Sequence, residues 1–337
     1  MIRDRSFQET AEVTTSNAFP QITNRRIATN GIELNIAEQG DPNAPLIVML
    51  HGFPESWFSW RHQFAPLAAA GYHVVAPDMR GYGDSDKPAD IGAYNQIEVV
   101  NDIKGLVAAL GYETAIVLGH DWGGPTAWSC ALWHPEIFSA VGVLSVPFSP
   151  RSPIPPLDAM KAFFAGKFFY QLYFQTPGVA EAEFEKDIRT ALRKFYHLAS
   201  GEMDVNILGE KSEHDDLLTS LIDPERMGPW LSDTDLDFYV NEFTHSGFFG
   251  PLNYYRNHNE TWELSADKPT EIHQPALFVA GERDGVIAMA GPALENMPNF
   301  VKDLRTNVLI PKIGHWTQQE APETVNGYLL NWLAELD

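Results

Sequence analysis

The chain has 337 residues, 44% of them hydrophobic and 20% charged, which is ordinary globular make-up with enough apolar side chains for a sizeable core. Its 23 basic against 45 acidic residues leave a net charge of −22, which repels phosphate backbones and anionic lipid and so excludes nucleic acid and membrane as partners. The single cysteine, Cys130, cannot close an intramolecular disulfide, and the polar first twenty residues lack the apolar stretch of a secretory signal, so the expected compartment is the cytoplasm.

Residues 1–20 read as a loose N-terminal extension. From Arg26 to about Val146, within a first segment spanning 21–146, short β-rich apolar runs alternate with helical patterns, the rhythm of a mostly parallel sheet. Leu46 to Leu50 (LIVML) and Thr114 to Leu118 (TAIVL) read as strands buried on both faces, each ending in a glycine-containing turn. Such turns lie at the carboxyl ends of strands, where open α/β sheets bind ligands. At Pro147 a proline-rich bend opens a helical insertion over 147–267 without convincing buried strands. In the closing segment, 268–337, strands return at Ala276 to Ala280 and Thr306 to Leu309, followed by an amphipathic helix from Glu323 to Leu336. No run reaches the ~18 apolar residues that crossing a bilayer requires.

The sequence Gly119-His120-Asp121-Trp122-Gly123-Gly124 sits between a predicted strand and a predicted helix. An aspartate there can simply cap the helix, but small residues on both flanks point to a sharp elbow that pushes Asp121 outward as a nucleophile. A carboxylate is ionised at neutral pH and attacks saturated carbon without a base, giving an alkyl ester. That ester must then be hydrolysed by an activated water, which calls for a histidine held by a second acid. His315 in Gly314-His315-Trp316 and Asp284 in Gly281-Glu282-Arg283-Asp284-Gly285 follow in the required order, with Glu282 as an alternative acid and His120 read as a packing residue. His51-Gly52-Phe53-Pro54 follows the Leu46 to Leu50 strand, so the backbone N–H groups of Phe53 and Trp122 are the candidate oxyanion-hole donors. No metal or other cofactor is expected; His214, among Glu213, Asp215 and Asp216, lacks metalloprotease spacing and belongs to a solvated face.

Together these motifs resemble the soluble epoxide hydrolases of the α/β-hydrolase superfamily: HGFPESWFSWR from His51, PDMRGYGDSDKP from Pro77, GHDWGG from Gly119, YQLYFQTPGVAEAE from Tyr170, NYYRN from Asn253 and GHWTQQEAP from Gly314. The resemblance covers Arg26 to the C-terminus. It implies an α/β-hydrolase fold, a mostly parallel eight-stranded sheet flanked by helices, with the 147–267 insertion as a lid over Asp121. It also implies that Tyr170 and Tyr255 donate hydrogen bonds to the epoxide oxygen; spacing alone leaves Tyr173 and Tyr254 equally eligible. Phe53, Trp122, Phe168, Gln171 and Trp316 are the side chains expected against the substrate, a small apolar epoxide. Asp78, Arg80 and Gly83 are read as shaping a turn. Neither the phosphatase domain of the mammalian enzymes nor a peroxisomal tripeptide is expected, and the chain is taken as a monomer or homodimer.

Two other readings compete. A haloalkane or haloacid dehalogenase uses the same aspartate and histidine, with Trp122 offering its indole N–H to a halide, but a halide leaves without a proton and gives paired phenols no task. A catalytically silent binder of an apolar small molecule is permitted by fold alone.

Overall fold

The computed structural model describes residues 21–203 and 211–336; the expected extension over 1–20 lies outside them. Eight strands form one sheet in the order β1-β2-β4-β3-β5-β6-β7-β8. β1 (Thr23–Thr29) and β2 (Ile32–Gln39) make an antiparallel hairpin whose Asn30-Gly31 turn has positive φ at both residues, the geometry that matches strand twist. β2 also pairs antiparallel with β4 (His73–Pro77). From β4 onward through β3 (Leu46–Leu50), β5 (Ala115–His120), β6 (Phe138–Leu144), β7 (Ile272–Gly281) and β8 (Val301–Ile310) every pairing is parallel.

Every residue of β3, β4 and β5 is buried, which explains why they are apolar or glycine throughout except for the terminal His73 and His120. Helices α1 (Phe64–Ala69), α2 (Gln96–Ala109), α3 (Gly123–Trp133) and, at the C-terminal end, Pro322–Leu333 flank the sheet; α2 packs on α3, while α1 packs on the C-terminal helix. Among the described residues no helix is long and apolar enough to cross a membrane.

Between β6 and β7 the described residues form helices and no strand: α4 (Pro156–Phe163), α5 (Tyr170–Tyr173), α6 (Val179–Glu185), α7 (Ile188–Ala199), α8 (Asp233–Ser246), α9 (Phe249–Arg256) and α10 (His258–Leu264). Buried polar bonds tie this run to the sheet's loops. Tyr196 donates to Pro54 O at 2.6 Å, Tyr254 to Arg80 O at 2.9 Å, and Arg61 to Trp230 O at 3.1 Å. Within the run, the Arg256–Glu181 ion pair at 2.7 Å joins α9 to α6.

The loop after β4 is shaped as expected. Asp78 accepts from Asn35 Nδ2 at 2.8 Å and from the Trp57 N–H at 3.2 Å. Gly83 has φ +45°, and a Cβ there would stand 2.3 Å from an Asp78 oxygen, so only glycine lets the loop close over that carboxylate. Arg80 forms a bidentate pair with Asp102 of α2 at 2.7 and 2.6 Å, buried on both sides.

Candidate active site

Asp121 occupies the one-residue elbow between β5 and the Trp122 cap of α3, with φ +49°. A left-handed backbone at a non-glycine residue costs on the order of 1–3 kcal/mol, and its neighbours are packed to enforce it. A Cβ on Gly119 would meet Gly123 O at 2.1 Å and one on Gly123 would meet Leu50 O at 2.0 Å, so the turn closes only with glycine at both places. Gly52 completes the fit, because a Cβ there would fall 2.3 Å from Asp121 Oδ1 and 2.6 Å from Trp122 N.

The two oxygens of Asp121 have different partners. Oδ1 accepts the Phe53 N–H at 2.7 Å, and Oδ2 lies 3.2 Å from His315 Nε2. His315 Nδ1 faces Asp284 at 3.0 and 3.1 Å, and Asp284, at the end of β7, accepts the Val286 N–H through Oδ1 at 2.8 Å as the cap of helix α11 (Gly285–Met289). Glu282, the other acid considered, is exposed. The His315 backbone is pinned from three directions: its N–H donates to Ala199 O at 2.8 Å, and its carbonyl accepts from His120 Nε2 at 2.7 Å and Ser145 Oγ at 2.9 Å.

Burial pushes the Asp121 carboxyl up, but the hydrogen bond and charge of His315, with the Phe53 N–H, outweigh it and hold the group below its ordinary value. Burial likewise pushes the His315 imidazole down; the Asp284 charge and the hydrogen bonds to Asp121 and Asp284 prevail and hold it well above its ordinary value. The pair is therefore poised as carboxylate and imidazolium.

Above Asp121 lies a cavity of about 390 Å³, lined by Asp121, Asp284 and His315 from the sheet side and by Phe168, Tyr170 and Tyr255 from the helical run. The four tyrosines that spacing could not separate differ in their partners. Tyr173 donates to Glu183 at 2.9 Å and Tyr254 to Arg80 O, so both hydroxyl protons are committed elsewhere. Tyr170 and Tyr255 instead stand 5.9 Å apart, ring to ring, over the nucleophile. Gln171 Nε2 donates to the Tyr170 hydroxyl at 2.9 Å, and the Trp122 indole stands edge-on to the Tyr255 ring with centroids 5.0 Å apart. Burial pushes both phenols above their ordinary value and keeps them protonated.

The site is similar to known proteins well beyond its motifs. The family model described as alpha/beta hydrolase fold matches residues 45–322. Epoxide hydrolase A of Mycobacterium tuberculosis is 40% identical over 318 residues, 94% of this chain and 98% of that one. A solved epoxide hydrolase from an endophytic Streptomyces superimposes with a TM-score of 0.90 at 41% identity, covering 94% of this chain and 96% of that one. The chain belongs to the epoxide hydrolase family. Of another member, the bifunctional epoxide hydrolase 2 of Rattus norvegicus, it covers 54% at 38% identity.

Against that family frame, the expected substrate residues divide. Phe53 and Phe168 line the cavity, whereas Trp316 is fully buried behind His315 with its indole N–H on Tyr196 O at 2.8 Å. Gln171 and Trp122 act at one remove, through the two tyrosines. His120 is more than packing: Nδ1 lies 2.8 Å from Glu55 Oε2, so the ring bridges that buried carboxylate to the His315 carbonyl. Glu55 is missing from the sequence reading, yet it accepts from Gly52 N–H, Gln318 and Gln319 and so braces the Phe53 loop against the His315 loop. Its only sequence signal is its place in HGFPES.

Proposed function

We propose that the chain converts epoxides and water to vicinal diols through a covalent alkyl ester on Asp121, with the helical run over 147–267 as the lid of the site. The observation that carries this reading is the placing of one carboxylate between a backbone N–H, an imidazole and a roof of two phenols with uncommitted protons.

Tyr170 and Tyr255 donate to the ring oxygen while Asp121 Oδ2 attacks a ring carbon from the opposite side. The new carbon–oxygen bond forms as the ring bond breaks, and the released electron pair goes to the oxygen, which takes its proton from a phenol. A phenol suits this task because it stays protonated here yet is a stronger acid than the alcohol it creates. Solvent returns the proton to the phenolate.

Alkylation also removes the charge of Asp121, which withdraws one of the supports of the raised His315 pKa, so the imidazolium releases its Nε2 proton to solvent and becomes a base. His315, oriented by Asp284, then takes a proton from water as its oxygen attacks the ester carbon. Oδ1 becomes the oxyanion, held by the Phe53 N–H already at 2.7 Å and by the Trp122 N–H, donors of a type worth a few kcal/mol in a dry site. Collapse expels the diol, which takes its proton from His315, and the new Asp121 carboxyl then passes its own proton to His315 Nε2, restoring the carboxylate–imidazolium pair.

Against a dehalogenase stand the two phenols over the nucleophile, which a halide, leaving without a proton, does not need. One catalytic cycle in heavy-oxygen water, with enzyme in excess, tests the pathway: the isotope enters Asp121 and is absent from the diol. Label found directly in the diol refutes the ester. The remaining elements of the reading are a small apolar substrate and a cytoplasmic setting.

A further inference from the structure

The two phenols have chemically different neighbours: the Trp122 indole stands edge-on to the Tyr255 ring, and the Gln171 amide donates to the Tyr170 oxygen. An indole N–H can only donate, so Trp122 cannot compete for the Tyr255 proton. A carboxamide can do either. Turned one way, Gln171 donates Nε2–H to the Tyr170 oxygen and leaves that hydroxyl proton free for the cavity; turned the other way, its Oε1 accepts the proton and removes it from use. Something must hold the amide in the first orientation.

His258 is the group placed to do so. Its Nε2 lies 2.9 Å from Gln171 Oε1, and Gln171 Nε2 lies 2.9 Å from the Tyr170 hydroxyl, forming a continuous chain. The imidazole ring stands at the start of α10, 5.3 Å from the Trp122 ring and 6.4 Å from the Tyr255 ring, so it sits behind both phenols without entering the cavity lining. Desolvation lowers its pKa to about 4, so at neutral pH it carries one N–H. With that proton on Nε2, Gln171 must present oxygen to His258 and nitrogen to Tyr170.

We infer that His258 is a positioning residue for ring opening: through Gln171 it aims the Tyr170 hydroxyl proton into the cavity. This rests on the proposal that Tyr170 donates to the epoxide oxygen. The Nδ1–H tautomer of His258 would reverse the amide and silence Tyr170, so the device selects one of two otherwise balanced hydrogen-bond directions.

The test is single-turnover alkylation with styrene oxide and excess enzyme, with ester formation and ester hydrolysis timed separately by rapid quench and intact-protein mass. His258→Phe, which keeps a flat ring but no donor, slows ester formation about tenfold, the factor of one lost hydrogen bond, and leaves ester hydrolysis unchanged. His258→Gln, which restores an N–H donor, recovers most of the rate. In a Tyr170→Phe background, His258→Phe has no further effect. Gln171→Met gives the same pattern and serves if His258→Phe fails to fold.

Full-rate alkylation in His258→Phe overturns the inference, as does equal slowing of both half-reactions. If the His258 effect multiplies that of Tyr170→Phe, the relay fails while the phenol reading stands. If Tyr170→Phe alone alkylates at the full rate, Tyr170 is not a donor to the epoxide oxygen, and the relay falls with that assignment.

Discussion

Replacing Asp284 with asparagine separates the two half-reactions in a direction the geometry dictates. Asp284 is 1% exposed, and its Oδ1 is held by the Val286 N–H at 2.8 Å. In Asp284→Asn that N–H keeps the amide oxygen, which turns the amide nitrogen toward His315 Nδ1. Nδ1 must then accept, the imidazole proton moves to Nε2, and the ring can no longer take a proton from water. Loss of the correct tautomer and counter-charge in a histidine–carboxylate pair lowers rates by roughly 10³–10⁴, equivalent to about 4–5.5 kcal/mol. Alkylation is spared, because Nε2–H still donates to Asp121 Oδ2 and the nucleophile stays ionised; a change within roughly tenfold is expected. Mass spectrometry during turnover of styrene oxide should therefore show nearly all of the protein carrying the substrate's mass on Asp121. Steady-state turnover within tenfold of the parent, with no adduct, refutes the assignment of Asp284 and of the tautomer argument.

Tyr170→Phe with Tyr255→Phe should slow alkylation far more than either change alone, since one donor covers in part for the other; single-turnover rates decide this, and full rates in the double variant remove the phenols from the chemistry. Acidification should enrich the ester. Asp121 has a lowered pKa and stays ionised in mild acid, whereas hydrolysis needs neutral His315 and fails as pH falls through the histidine's value in the ester. The adduct fraction measured at pH 5 should thus exceed that at pH 8. Asp102→Asn leaves the buried Arg80 guanidinium with only the more distant, partly exposed Glu98 carboxylate at 3.9 Å and should cost about 3 kcal/mol, read from denaturant unfolding.

The strands were legible in proportion to their burial. Leu46–Leu50 matches to the residue because all five side chains are covered. The run seen at Thr306 to Leu309 is part of a longer strand, Val301–Ile310, whose edge position leaves many side chains partly or fully exposed and breaks the apolar pattern. The polar hairpin strand Thr23–Thr29 gave no periodic signal for the same reason. Asp121, Asp284 and His315 could be found because each follows a parallel strand beside a glycine. The tyrosines could not be sorted by spacing, since what distinguishes Tyr170 and Tyr255 from Tyr173 and Tyr254 is where each hydroxyl proton goes. Glu55 and His258 act through partners distant in the chain, so no local pattern marks them.

The Phe53 ring meets Phe174, Phe184, Phe195, Phe248 and Tyr255 edge-on, with centroids 5.5–6.3 Å away, while its own N–H holds Asp121. One residue thus serves as keystone for both halves of the molecule. Chimeras that graft a foreign segment between β6 and β7 to alter selectivity must supply a matching aromatic socket for it. Where the socket is wrong, the graft disturbs the amide beside the carboxylate, and turnover suffers before the new pocket has any chance to discriminate.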